Sequence, residues 1–125
     1  MTAALYHGGF PGLRPGELVL PPDESGTEYR LSAYAPQAAR WGYRTDVVYL
    51  TRVENQARAF AACYPDGALY QCEPIELLGP DPDNPASAVM ARRARVVAVV
   101  RPRVLFAHRR PESWFRLIHE ESPMG

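Results

Sequence analysis

The chain has 125 residues, 46% of them hydrophobic, with fourteen basic and fourteen acidic side chains. This length allows one domain with one buried core, and the composition is that of a folded domain, so wholesale disorder is excluded. A formal net charge of zero argues against strong non-specific binding to nucleic acid, although residues 1–85 carry a net charge of −5 and residues 86–125 one of +5.

The sequence contains no signal for a membrane or for secretion. No stretch approaches the roughly 18 consecutive apolar residues of a membrane-spanning helix, and the N-terminus lacks the pattern of a signal peptide. We therefore expect a cytoplasmic, monomeric protein that does not contact a membrane. Cys63 and Cys72 form no CxxC pair and have no histidine pair nearby, so we expect reduced core thiols and no bound metal.

The first third of the chain is rich in turn-forming residues. An apolar run at 3–6 ends in His7-Gly8-Gly9, which predicts a first strand that runs into a tight turn, with His7 at the strand end. Residues 9–28 indicate a loop with one short strand around 18–20. Residues 31–41 are alanine-rich and predict a short helix.

The middle of the chain carries the clearest local signals. Residues 46–50 (DVVYL) form a β-branched and aromatic run that predicts a central strand. Residues 51–54 (TRVE) match a capping box, so a helix is expected to begin there. Its apolar stripe consists of Val53, Ala57, Phe60, Ala61 and Tyr64. Residues 65–67 (PDG) are expected to end the helix.

The remaining pattern predicts two more strands and a last helix. Residues 68–73 indicate a strand, and 76–84 a leucine-containing turn followed by a proline-rigid loop that holds Asp81. Residues 95–101 predict a buried strand, and 111–121 a short helix. Four to six strands with two or three helices favour an α+β fold.

A single domain is expected over residues 1–125, with a core at about 3–102 and a C-terminal extension at 103–125. The sequence lacks GxGxxG after a strand, GxxxxGK[ST], HExxH and GxSxG. Redox dinucleotide sites, P-loops, zinc proteases and serine hydrolases are therefore unsupported.

Three stretches resemble one enzyme family. Residues 5–8 (LYHG), 48–51 (VYLT) and 69–74 (LYQCEP), the last continuing to 81–84 (DPDN), are similar in order to motifs of the rifamycin ADP-ribosyltransferases (Arr), and the last two are also similar in spacing. More distantly they resemble the wider H-Y-E class of ADP-ribosyltransferases. In Arr-like enzymes the last motif ends in an aspartate followed by proline, and that position falls on Asp81.

The resemblance implies a fold and an activity. The fold would be a compact ADP-ribosyltransferase-like α+β domain with central antiparallel or mixed sheets. The activity would be cleavage of the nicotinamide–ribose bond of NAD⁺, the co-substrate, and transfer of ADP-ribose to an acceptor, without a metal. The catalytic residues would be His7, Tyr49 and Asp81.

The resemblance also implies roles for individual residues. Asp81 would stabilise positive charge on the ribose, and Tyr49 would stack on the nicotinamide. His7 would bind a hydroxyl of the adenosine ribose, and the backbone of Gly8 would grip the carboxamide. The complete predicted cofactor-binding set is Tyr6, His7, Gly8, Tyr49, Thr51 and Phe60.

Each catalytic candidate also has a structural interpretation. A histidine beside two glycines is typical of a turn, a tyrosine in a strand of core packing, and an aspartate between prolines of a turn. Asp83 competes directly with Asp81, and Glu73 and Glu76 are further acidic candidates. His108 and His119 have no metal-ligand spacing and are interpreted as surface residues.

The acceptor stays open. The chain is longer than Arr-like enzymes between His7 and Tyr49, within residues 21–44, a region that helps to shape the antibiotic pocket in that family. A rifamycin, another small molecule, a protein or a nucleic acid all remain candidate acceptors. Alternative functions are an RNA 2′-phosphotransferase-like enzyme and a non-catalytic module that binds NAD⁺ or ADP-ribose.

Overall fold

A computed structural model describes residues 4–25, 44–64, 66–82 and 85–118. In this part of the chain the protein is a mixed α+β domain in which a five-stranded antiparallel sheet is accompanied by three short helices. In chain order the elements are β1 (Leu5–Gly9), β2 (Leu18–Val19), α1 (Pro22–Ser25), β3 (Val48–Thr51), α2 (Glu54–Ala62), β4 (Ala68–Pro80), β5 (Ala88–Arg101), a 3-10 turn (Phe106–His108) and α3 (Pro111–Ile118).

The sheet closes on itself. Its strand order is β2-β5-β3-β1-β4, and β4 also pairs with β5 along nearly its whole length. Strands β1, β4, β5 and β3 therefore form a ring in which each strand has two antiparallel neighbours. The central strand predicted at 46–50 is confirmed as β3, which lies between β5 and β1.

Two apolar clusters hold this arrangement together. The inner cluster is formed by strands: Val19, Val48, Leu50, Ala68, Tyr70, Cys72, Ala91, Ala94 and Val96. The outer cluster joins the sheet to the two longer helices: Ala57, Ala59, Ala61, Ala62, Leu69, Val104 and Trp114. Burial of these side chains supplies the main favourable term for folding.

The predicted turn at His7-Gly8-Gly9 is wrong, because β1 continues through all three residues. The two glycines create space rather than a turn. A Cβ on Gly8 would lie 1.9 Å from the carbonyl oxygen of Ala57, and one on Gly9 would lie 2.7 Å from Nε2 of His7. Helix α2 and the imidazole ring occupy the space that side chains would take.

The predicted capping box at 51–54 is also wrong in detail. Thr51 is the last residue of β3, and α2 begins at Glu54 with Val53 as its N-cap and no side-chain cap. The Thr51 hydroxyl instead accepts a hydrogen bond from the Val53 amide at 3.1 Å. The predicted apolar stripe is confirmed for Ala57 and Ala61, which are buried against the sheet.

Strands β4 and β5 are both longer than the sequence predicts. Residues 76–80, expected to form a turn and loop, are the end of β4, and β5 begins at Ala88 instead of residue 95. The turn-forming residues are accommodated within the β4–β5 pairing by a register shift between Leu77 and Gly79. Glu76 and Gly79 adopt positive φ values of 57° and 138°. Asp81, expected inside a longer loop, directly follows β4.

The last predicted helix is confirmed as α3, which ends at Ile118. The helix predicted at 31–41, most of the 21–44 insertion, and residues 119–125 of the extension lie outside the described residues. Within the described ranges, no helix is long and apolar enough to cross a membrane.

Candidate functional site

His7 is held by a hydrogen bond to the backbone of a second candidate residue. Its partly buried ring lies on β1, and Nδ1 is 3.0 Å from the carbonyl oxygen of Tyr49 on β3. A carbonyl oxygen can only accept, so the proton is on Nδ1 and the lone pair is on Nε2. Burial lowers the pKa of His7 and outweighs the opposing effect of this hydrogen bond, so the imidazole is neutral at neutral pH.

Tyr49 is positioned from the loop before its own strand. The phenol oxygen accepts a hydrogen bond from the Arg44 amide at 2.8 Å. The Arg44 guanidinium in turn donates to both carboxylate oxygens of Asp46, at 2.9 and 2.6 Å. This chain of contacts orients the ring of Tyr49 from its hydroxyl end.

The rings of His7 and Tyr49 lie on opposite faces of the sheet. Leu5 packs against the inner cluster, and the space beside Gly9 is filled by the His7 ring, so His7 shares the inner face. The Thr51 side chain bonds to Gln56 of α2, so it lies on the outer face that α2 covers. Tyr49 is two residues away on the same strand and therefore also lies on the outer face. The structure thus brings His7 to the backbone of Tyr49 and not to its ring.

Asp81 is a shielded carboxylate at the end of β4. Its residue is 6% exposed, and its amide donates to the Ala88 carbonyl at 2.9 Å. Ala88 pairs with Thr51, and Thr51 pairs with Tyr6. Asp81 therefore lies at the level of Thr51 and is separated from Tyr6 by strands β5 and β3 along this path.

Two of the predicted cofactor-binding residues serve the packing of α2. The Thr51 hydroxyl donates to Oε1 of Gln56 at 2.8 Å inside the protein. Gly8 lies directly beneath α2, where a Cβ would also come within 2.6 Å of the Ala61 amide nitrogen. The helix backbone thus fills the space beside Gly8, whose backbone is expected to grip the carboxamide.

The other two predicted cofactor-binding residues, Tyr6 and Phe60, pack partly buried against the outer cluster. Of the predicted set, His7 and Tyr49 are thus two that are joined to each other by a side-chain hydrogen bond. Asp83, the competitor of Asp81, lies outside the described residues.

The residues singled out from the sequence leave out a buried polar group formed by Gln56 and Ser87. Gln56 and Ser87 are both 0% exposed, and the Ser87 hydroxyl lies 3.5 Å from Oε1 of Gln56. The Thr51 hydroxyl also lies 3.2 Å from the Ser87 carbonyl oxygen. A signal was present, because Gln56 stands three residues after Val53, at a helical spacing that an apolar residue would normally fill.

The remaining candidates lie on the surface. Glu73 is exposed on β4, and the exposed Glu76 accepts a hydrogen bond from Arg92 at 3.1 Å. His108 is exposed at the end of the 3-10 turn, and His119 is outside the described residues. In the described part of the chain, no three His, Cys, Asp or Glu side chains are grouped so that they could hold a metal ion.

Comparison with known proteins adds no family to this geometry. No protein-family model matches the chain, and no curated protein matches it in sequence.

Proposed function

We propose that the chain is an NAD⁺-dependent ADP-ribosyltransferase, which cleaves the nicotinamide–ribose bond and transfers ADP-ribose to an acceptor. The observation that carries this proposal is the burial of Asp81, which is 6% exposed. Aspartate is rarely buried to this extent, because removing a carboxylate from water is costly. Such a position has a ready explanation if the charge is used.

The proposed reaction requires a shielded carboxylate. As the bond from C1′ to the nicotinamide nitrogen breaks, its electron pair leaves with nicotinamide and positive charge develops on the ribose. The negative charge of Asp81 stabilises that state, and its effect is larger where water is excluded. A nucleophilic atom of the acceptor then forms the new bond to C1′ and gives up its proton.

His7 supports the proposal through its fixed tautomer. With Nδ1–H committed to the Tyr49 carbonyl, Nε2 presents a lone pair that can accept from a ribose hydroxyl. The lowered pKa of His7 maintains that lone pair at neutral pH. In the described residues, β1 and β3 pair at Tyr6 and Thr51 and at no further position, and the dinucleotide would lie along this edge.

Tyr49 would supply a flat surface for the nicotinamide ring. Because the Tyr49 and His7 rings lie on opposite faces of the sheet, the dinucleotide would cross the edge between β1 and β3 to contact both. Its hydroxyl is already held by the Arg44 amide, so the ring needs no further ordering when a substrate binds. Gly8 and Thr51 support the site indirectly, because they fix α2 against β1 and β3.

The first test is nicotinamide release from NAD⁺ by the purified chain and by Asp81→Asn, which keeps the shape of the side chain and removes its charge. Loss of one electrostatic group of this kind lowers a rate on the order of 100-fold. Glu73→Gln, an exposed change on the same strand, is the matched control and should retain the parental rate. Equal rates for Asp81→Asn and the parent would overturn the assignment of Asp81.

Two further measurements separate the alternatives. Calorimetric binding of NAD⁺ without nicotinamide release would indicate a non-catalytic binding module. Loss of the 2′-phosphate from a 2′-phosphorylated RNA, measured by mass spectrometry, would indicate an RNA 2′-phosphotransferase. For the transferase, a mass increase of one ADP-ribose on a rifamycin or on a cell-lysate component identifies the acceptor.

A further inference from the structure

The segment after β5 contains a local group of arginines. Residues 102–118 carry four arginines and one glutamate, and Glu120 and Glu121 follow in the sequence. Arg109, Arg110 and Arg116 line an open cleft of about 490 Å³ on α3 and the residues just before it, together with Ser113 and the single acid, Glu112. We call this surface the α3 cleft.

The charge of the α3 cleft is only partly offset within the described residues, where Glu112 is the single acid of its lining. Other arginines of the sheet are neutralised: Arg92 forms an ion pair with Glu76 at 3.1 Å, and Arg93 forms one with Glu24. In the described ranges, none of the three arginines of the α3 cleft forms an ion pair with a carboxylate. A concave surface with unpaired positive charge attracts an anion.

One of these arginines is already held in position. The Cζ atom of Arg109 lies 5.4 Å from the centroid of the Trp114 ring, and its Nη1 donates to the Ser113 hydroxyl at 3.1 Å. Trp114 is itself fixed, because it is 1% exposed and its indole nitrogen donates to the Phe106 carbonyl at 2.7 Å. A guanidinium held in this way loses less conformational entropy when it binds a phosphate.

An aromatic ring is exposed next to this charge. Phe106 is 40% exposed and stacks on Trp114, with 6.4 Å between ring centroids and 28° between the planes. Single-stranded nucleic acids are bound by this combination, in which cationic side chains contact phosphates and an exposed aromatic ring stacks on a base. An acidic peptide would use the arginines but would gain little from the exposed ring, so the nucleic acid is favoured.

We propose that the α3 cleft binds single-stranded nucleic acid, with Arg109, Arg110 and Arg116 on the phosphates and Phe106 against a base. This inference does not depend on the proposed enzymatic function, since binding requires neither NAD⁺ nor Asp81. A strand held in the cleft would also be a candidate acceptor for ADP-ribose.

The experiment measures fluorescence anisotropy of labelled 12-nucleotide oligo-U and oligo-dT with the full chain, over a range of salt concentrations. The test variant is R110Q/R116Q. The matched control is R92Q/R93Q, which removes the same charge from β5. For the test variant we expect binding about tenfold weaker or more, and a slope of log K against log salt that is smaller by about 1.4, since each phosphate contact contributes about 0.7.

Two single variants probe the remaining parts of the proposal. Phe106→Ala should weaken binding by roughly five- to tenfold and leave the salt slope unchanged, because stacking releases no counterions. Glu112→Gln should strengthen binding, because it removes the opposing charge in the cleft. Melting curves of all variants establish that they are folded.

The outcomes that overturn the proposal are distinct. The proposal fails if neither oligonucleotide binds at 50 mM salt, or if R110Q/R116Q and R92Q/R93Q weaken binding equally. It also fails if an acidic peptide or inorganic phosphate competes as well as an unlabelled oligonucleotide at equal charge concentration. Nicotinamide release measured on the same variants reports separately on the proposed enzyme.

Discussion

Gly8→Ala should destabilise the protein because α2 lies directly on β1 at this residue. The new Cβ would meet the Ala57 carbonyl oxygen at 1.9 Å, and real contacts of this kind stay beyond 3.0 Å. The helix must therefore withdraw by about 1.1 Å, the difference between these two distances. The nearest atoms belong to the helix backbone, so no rotation of a side chain relieves the contact.

The size of the effect follows from two opposing terms. Overpacking of a well-packed contact costs about 1–3 kcal/mol, and replacing glycine by alanine gives back about 0.4–1 kcal/mol through the unfolded chain. We expect a net loss of about 1–2 kcal/mol in the free energy of unfolding. At roughly 4 °C per kcal/mol this lowers the melting temperature by about 4–8 °C.

The assay is thermal unfolding followed by circular dichroism, with urea unfolding for the free energy. The matched control is Gly9→Ala in the same strand, where the new Cβ meets only the His7 ring, a side chain that can tilt. Gly9→Ala should cost less than half as much. A Gly8→Ala protein as stable as the parent, or more stable than Gly9→Ala, would refute the contact between β1 and α2.

Other features lead to three further predictions. Burial lowers the pKa of His7, so below about pH 6.5 the unfolded chain takes up a proton that the folded chain does not. As the pH is lowered from there to the folded-state pKa, the free energy of unfolding decreases by up to about 1.4 kcal/mol per pH unit. Urea unfolding at pH 7.5, 6.5 and 5.5 should show this slope in the parent and not in His7→Gln; identical slopes would contradict it. Burial raises the pKa of Cys63 to about 11 and of Cys72 to about 12, so a thiol reagent at pH 8 should label the native protein on the order of 100-fold more slowly than the denatured protein, and complete labelling on mixing would disprove the burial of the thiols. Tyr70→Phe removes a hydroxyl that donates to the Phe10 carbonyl at 2.5 Å and accepts from the Leu13 amide at 3.2 Å; urea unfolding should show a loss of about 1–3 kcal/mol, and an unchanged midpoint would refute it.

The elements predicted correctly are those with strong local signals. The run at 46–50 is β-branched and aromatic, and it is the core of β3. The apolar stripe predicts α2 because its residues recur at the spacing of one helix face. Both signals are contained within about ten residues, so neighbouring side chains are sufficient to specify them.

The elements predicted wrongly depend on partners distant in sequence. Gly8 and Gly9 were interpreted as a turn because the residues that fill their empty space, α2 and the His7 ring, are not visible in the local pattern. Residues 76–80 were interpreted as a turn and loop because glycine and proline usually interrupt a strand. The long pairing with β5 overrides that preference.

The candidate site could be predicted only in part. The sequence supplies His7, Tyr49 and Asp81 as separate side chains. The bond from His7 to the Tyr49 carbonyl joins residues 42 positions apart, and no spacing rule predicts it. The burial of Gln56 is indicated only by its helical spacing from Val53, and that of Ser87 by no local signal, since both are polar residues that are usually exposed.

The ring of strands has a consequence for how the chain is made. Strand β1 leaves the ribosome well before its partners, because Leu5 pairs with Cys72 and Tyr6 with Thr51. Until β4 has emerged, the edges that will close the ring are open to other chains, and pairings this distant in sequence form slowly. Slower synthesis or lower temperature during expression should therefore raise the yield of soluble protein, because fewer incomplete chains with unpaired strand edges are present at one time.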